Sequence, residues 1–192
     1  MSERSIVLAS ASPRRRELLR QIGITPSLMI SSDIDETPVS GELPTECVIR
    51  LACSKAKAVS ANYADSIVLA ADTLVVCDDV IMGKPESKDH AFSMWRALSG
   101  RWHQVLTAVA MVQNQQLANV LNISEVKFST LSEDTMAVYW STGEPADKAG
   151  AYAIQGMAAV WVSEIKGSYS GIMGLPLFET SQLLAQAGVK IL

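Results

Sequence analysis

Residues 66–76 read SIVLAADTLVV: five apolar residues, Ile67 to Ala71, then Asp72 and Thr73, then three more apolar residues. The run is short, apolar and rich in β-branched side chains, which marks a buried strand. Asp72 is the residue that does not belong. An unpaired carboxylate in such a strand is costly, so a cation or metal partner is expected; a strand-end aspartate bonded to a nearby backbone turn is the alternative. In regular strand geometry Thr73 faces the other way from Asp72.

Working outward, Asp78-Asp79 can turn the strand back into 80–82, and 88–98 has helical character closed by Gly100. Residues 102–112 and 117–128 flank a polar NQQ stretch and read as a long hairpin. Upstream, 45–61 is a helix, and 5–9 (SIVLA) is a short buried strand followed by a tight SAS turn and a helix from Pro13. Downstream, Ser132 caps a helix to Trp140, a glycine-rich stretch over 143–174 holds short strands around 158–165, and 176–187 is a last helix stopped by Gly188. Helices and strands alternate with hairpins mixed in. The expected fold is α/β, a mixed twisted sheet with flanking helices, in a single domain over residues 1–192.

Composition removes several classes of function. Of 192 residues, 48% are hydrophobic and 19% charged, enough for a core and too little charge for disorder. Sixteen Lys and Arg against 20 Asp and Glu give a net charge of −4, which argues against nucleic acid or an anionic membrane as partner. No apolar run reaches the roughly 18 residues of a membrane helix. The apolar stretch at 6–9 is too short for a signal peptide. Three cysteines without a CxxC pair, and only two histidines, leave no zinc cage or disulfide framework, and point to a reducing cytoplasm. Cys47, Cys53 and Cys77 read as structural, and chemistry should rest on carboxylates, lysines, arginines and a metal.

Four further features break local rules. In SASPRRREL, Ser12-Pro13 opens a helix well, yet Arg14, Arg15 and Arg16 crowd a first turn whose dipole disfavours cations. Helical spacing turns Arg15 toward the face of Leu18 and Leu19, puts Arg14 on its shoulder and sends Arg16 to solvent. A phosphate at this helix start would relieve the conflict, with Ser10 and Ser12 adding hydroxyls; a solvated basic turn is the alternative. In 45–61, Lys55 falls within the apolar stripe of Val48, Leu51, Ala52 and Val59, so it either snorkels out or extends into a cleft. Asp33, Asp35 and Glu36 form an acidic stretch, and Gly83-Lys84-Pro85 aims a lysine from a rigid turn. Together these supply carboxylates for a divalent ion and cations for phosphates, and oxygen ligation fits Mg²⁺ or Mn²⁺ on a polyphosphate.

At this point the chain resembles the Maf family of nucleoside triphosphate pyrophosphatases. The pieces that carry the resemblance are LASASPRRREL, DIDET, RLACSKAKA, LAADTLVV, GKPESKDHA, LSGRWHQVLTAVA, DKAGAYAIQG and GSYSGIMGLP, in family order over nearly the whole chain. The resemblance implies two α/β lobes around a cleft, commonly a homodimer, and hydrolysis between the α and β phosphates of a nucleoside triphosphate. It implies Asp72 as general base, Glu36 as a metal holder beside Asp72, and Ser10, Arg15, Lys55 and Lys84 as phosphate contacts. The branch active on dTTP and UTP is similar in having Asp-Thr after the strand and Ile-Gln-Gly later, here Asp72-Thr73 and Ile154-Gln155-Gly156. Arg14, Thr73 and Gln155 are then the expected specificity residues, with Gln155 offering both a donor and an acceptor and Thr73 a hydroxyl. Ala11 and Ser54 depart from residues common in relatives. A regulator that binds nucleotide with little turnover, and a 7-methyl-GTP pyrophosphatase, are the competing readings.

Overall fold

A computed structural model describes residues 5–191. Its seven strands form one mixed sheet in the order β2-β1-β3-β5-β6-β7, with β4 paired to β3 alone. The strands are β1 (Ile6–Leu8), β2 (Leu28–Met29), β3 (Ile67–Cys77), β4 (Val80–Met82), β5 (Trp102–Gln113), β6 (Gln116–Phe128) and β7 (Val162–Lys166). Six helices flank it: α1 (Pro13–Gln21), α2 (Pro44–Ser60), α3 (Lys88–Leu98), α4 (Glu133–Ser141), α5 (Tyr169–Ile172) and α6 (Leu177–Gln186). The first three strands run parallel, and β3, β5, β6 and β7 continue antiparallel, with a hairpin joining β5 to β6 and another joining β3 to β4.

The long strands β3, β5 and β6 serve two lobes. Over the first half of β3, α2 covers one face, packing Val48, Leu51, Ala52 and Val59 on Val68, Ala70 and Leu74. On the other face α1 and α6 pack Leu18, Leu19, Leu183 and Leu184 against Leu69, Ala71 and Val109. Beyond Val75 the sheet enters a second core, in which Phe128 of β6 packs with Trp95, Met136, Tyr139 and Trp161 from α3, α4 and the segment after it. Both hairpin turns place two residues at positive φ, Asp78-Asp79 and Asn114-Gln115, the left-handed pair that a two-residue turn between twisted strands needs.

The elements expected between 5 and 141 form within a residue or two of their expected ends. Two-residue β2 and four-residue α5 were not foreseen. Around 158–165 the chain forms a 3-10 turn over Met157–Trp161 before β7, so only the second half of that stretch is strand. Pro176 caps α6 from outside instead of starting it. No helix among the described residues is long and apolar enough to cross a membrane.

Candidate active site

A break in pairing creates the site. Along one edge of β3, β1 holds residues 67–69 and β4 holds 75–77, so the residues between have no strand partner on that side. A cleft of about 770 Å³ opens there between the two lobes. It is lined by Ser10, Arg14, Arg15, Glu36, Lys55, Asp72, Thr73, Lys84 and Gln155, whereas Asp33 and Asp35 of the acidic stretch do not line it. Such a volume lies in the range of ordinary ligand pockets.

The two central residues of β3 serve opposite faces of the sheet. Asp72 turns to the α2 side, where it is 5% exposed, and Lys55 reaches it from the apolar stripe of α2, 8% exposed. Lys55 Nζ lies 2.7 Å from Asp72 Oδ1 and 2.9 Å from Glu36 Oε1, so one ammonium joins two carboxylates at the cleft wall. Lys55 thus reaches into the cleft and does not snorkel to bulk water, and Asp72 has the cation its burial demanded. Glu36 lies on the loop before α2, and that loop is anchored by Arg50. The Arg50 guanidinium donates to both oxygens of Glu42, at 2.6 and 2.7 Å, and to the carbonyl of Thr37. The forked contact holds the Glu42 carboxyl down at about 2.

Thr73 turns to the α1 side and meets Arg15. The Arg15 guanidinium donates from Nε to the Gly174 carbonyl at 2.8 Å, from NH1 to Ser10 Oγ at 3.2 Å and from NH2 to Thr73 Oγ1 at 3.3 Å. Gly174 has a φ of +112°, a conformation that side-chain-bearing residues rarely adopt, so glycine is required where its carbonyl turns inward. Burial pulls the Arg15 pKa below the ordinary arginine value while Asp72 pushes it back up. The result is a fixed, desolvated cation beside the cleft. At the start of α1, Ser12 caps the Arg15 N–H, Ser10 Oγ accepts the Ser12 N–H at 3.2 Å, and Pro13 has no N–H to give. An anion at this turn would therefore meet the side chains of Ser10 and Arg15 more than a bare helix start. Arg16 is exposed.

The opposite wall carries Lys84 and Gln155. The Gly150 N–H donates to the Gly83 carbonyl at 3.0 Å, tying the turn before Lys84 to the loop that follows Lys148. Gly150 sits at φ +64° directly on Val75, where a Cβ would collide with that side chain. Gln155 rides on a turn pinned from both ends: the Ala153 N–H donates to Tyr139 Oη at 3.1 Å, and the Met157 N–H to Glu144. Tyr139 in turn donates to Glu144 at 2.7 Å.

Lys148 also lines the cleft and was not singled out from the sequence. It pairs with Asp147, whose pKa lies below the usual value because of Lys148 first, with Arg14 adding to the effect. A lysine in a polar loop breaks no periodic pattern, so only its place in DKAGAYAIQG could have flagged it. The cysteines are free, and burial raises the thiol pKa of each, that of Cys47 to about 11.

Glu36 and Asp72 offer hard oxygen donors, the chemistry Mg²⁺ or Mn²⁺ prefers. Among the described residues no group of three or more His, Cys, Asp or Glu is placed to hold a metal ion. Two carboxylates fit an ion whose remaining ligands come from substrate phosphates and water, the usual arrangement for Mg²⁺.

Fold and site together define an α/β protein with a cation-lined cleft suited to a polyanion. Two solved structures share the fold: the Ham1 protein of Staphylococcus aureus (TM-score 0.51, 13% identity, covering 97% of this chain and 100% of that one) and a HAM1 protein from Coxiella burnetii (TM-score 0.51, 15% identity, 96% and 100%). Residues 5–187 match the family described as Maf-like protein, and the chain belongs to that family. It is 51% identical over 188 residues to the dTTP/UTP pyrophosphatase of Methylobacillus flagellatus, spanning 97% of this chain and 94% of the relative. It is 49% identical over 185 residues to the dTTP/UTP pyrophosphatase of Pseudoalteromonas atlantica, spanning 94% and 96%.

Proposed function

We propose that this protein is a nucleoside triphosphate pyrophosphatase that hydrolyses dTTP and UTP to the monophosphate and pyrophosphate, acting in the cytoplasm as a homodimer. The observation that carries this reading is convergence. Asp72, the residue that breaks the strand, stands on the wall of one cleft with Lys55, Arg14, Arg15 and Lys84, in a chain about half identical to relatives named for that reaction.

The residues divide the work by what they can reach. Ser10, Arg15, Lys55 and Lys84 hold the phosphates and draw off the charge that builds as the α–β bridge breaks. Asp72 accepts a proton from water while the water oxygen bonds to phosphorus and pyrophosphate departs with the bridging oxygen. Lys55 orients that carboxylate. Glu36 and Asp72 would hold a Mg²⁺ or Mn²⁺ ion, which when bound neutralises phosphate charge and acidifies nearby water. Arg14, Thr73 and Gln155 face the nucleoside, and Gln155 can both donate and accept along a pyrimidine edge.

The test is pyrophosphate release from dTTP, UTP, CTP, GTP and 7-methyl-GTP with Mg²⁺ or Mn²⁺. Turnover of dTTP and UTP above the rest is the expected result. Preference for 7-methyl-GTP would overturn the specificity, and binding without turnover of any of them would make the protein a nucleotide-binding regulator.

A further inference from the structure

We infer that Thr107, a residue that does not line the cleft, fixes the hydrogen-bonding polarity of Thr73, so that Thr73 can only accept a hydrogen bond from a ligand. The inference rests on the pyrimidine-nucleotide reading above and adds how the base is discriminated. Thr73 and Thr107 lie directly opposite each other on β3 and β5. Thr107 is completely buried, and its Oγ1 is 2.8 Å from the Gly171 carbonyl. A carbonyl can only accept, so the single hydroxyl proton of Thr107 is committed to Gly171. Thr73 Oγ1 lies 3.0 Å from Thr107 Oγ1, and the proton between them must come from Thr73. Arg15 NH2 donates into the same Thr73 oxygen. A hydroxyl has one proton and two lone pairs, so Thr73 is left with one lone pair and no proton to offer.

Ser10 is set the other way. Its oxygen accepts from the Ser12 N–H and from Arg15 NH1, which uses both lone pairs and leaves its proton free. The two hydroxyls on either prong of Arg15 thus present opposite polarity. Ser10 donates, which suits a phosphate oxygen. Thr73 accepts, which suits an N–H group. Thymine and uracil carry one such donor on their pairing edge, N3–H; cytosine has a lone pair at N3 and its donor at N4 instead, so the discrimination is made where Thr73 faces N3. Facing Thr73, uracil gains a bond and cytosine meets two opposed lone pairs, a mismatch worth about tenfold or more in affinity.

The experiment compares wild type, Thr107→Val, Thr107→Ser and Thr73→Val in binding the non-hydrolysable α,β-methylene analogues of UTP and CTP. Pyrophosphate release from UTP by the wild type is measured separately. Thr107→Val frees the Thr73 proton to serve cytosine, so the preference for the UTP analogue should fall about tenfold. Thr107→Ser keeps the hydroxyl and should keep the wild-type ratio. Thr73→Val should weaken the UTP analogue and leave the CTP analogue no weaker. The inference is overturned if the wild type binds both analogues alike, or if Thr107→Val or Thr73→Val weakens both equally, as a merely structural role would. Should Thr107→Val not fold, Thr107→Ser and Thr73→Val decide the matter. A protein that shows the predicted binding ratios yet releases no pyrophosphate would sink the catalytic reading alone.

Discussion

Lys55 stands between Asp72 and Glu36, and of the three only Glu36 lies on the exposed side of the cleft. Replacing the lysine by methionine keeps the stem that packs in the α2 stripe and removes the charge. Asp72 is then a nearly buried carboxylate without its cation. The expected cost is about 3 kcal/mol in urea unfolding at pH 7, with weaker nucleotide binding as well. An unchanged midpoint would mean that Asp72 is satisfied by something other than Lys55. Asp72 and Lys55 could be read in the sequence for one reason: each is a charge at a position whose periodicity demands an apolar residue. The exposed Lys84 was flagged by its rigid Gly-Pro setting, whereas Lys148 had no pattern to violate. Thr107 was invisible because threonine is at home in a strand, and its importance comes from a hydroxyl aimed at a carbonyl 64 residues away.

At the scale of elements, the turn carrying Gln155 depends on Tyr139 of α4. Tyr139→Phe leaves the buried Ala153 N–H without an acceptor and cuts the link to Glu144. The expected result is a loss of about 1–2 kcal/mol in stability, and a KM for UTP that rises more than kcat falls. His103, at the start of β5, gives a pH signature. Its Nε2 lies 2.8 Å from Tyr152 Oη, its Nδ1 has no partner among the described residues, and burial lowers its pKa from 6.5 to about 4. The unfolded chain therefore binds this proton more readily than the folded one. Stability from this group is complete above pH 6.5 and is lost as pH falls toward 4, by up to about 3 kcal/mol. Stability measured between pH 6.5 and 5, above the range where carboxylates titrate, should decline in the wild type and decline less in His103→Gln. Most elements were legible because their hydrophobic period is strong. The segment from 143 to 161 was not, because its 3-10 turns have no period to read and are held by contacts with α3 and α4 that exist only in the folded chain.

At the scale of the molecule, the cleft depends on one break in the pairing of a sheet. Because β1 ends at Leu8 and β4 begins pairing only at Val75, the middle of β3 keeps an open edge, and two lobes with separate cores meet around it. Alternation along β3 then divides the chemistry, sending Asp72 to the Lys55 side and Thr73 to the Arg15 side. Mixed-sheet class and the strand carrying Asp72 could be read from sequence; the gap could not, since pairing partners are set by register between distant strands. The proton transfer proposed for Asp72 is the step on which hydrolysis turns. Its most direct test is pyrophosphate release from UTP by Asp72→Asn beside the wild type, with nucleotide binding measured on both. The expected result is a fall in turnover of about 100-fold or more with binding largely kept. Turnover in Asp72→Asn close to that of the wild type would contradict it.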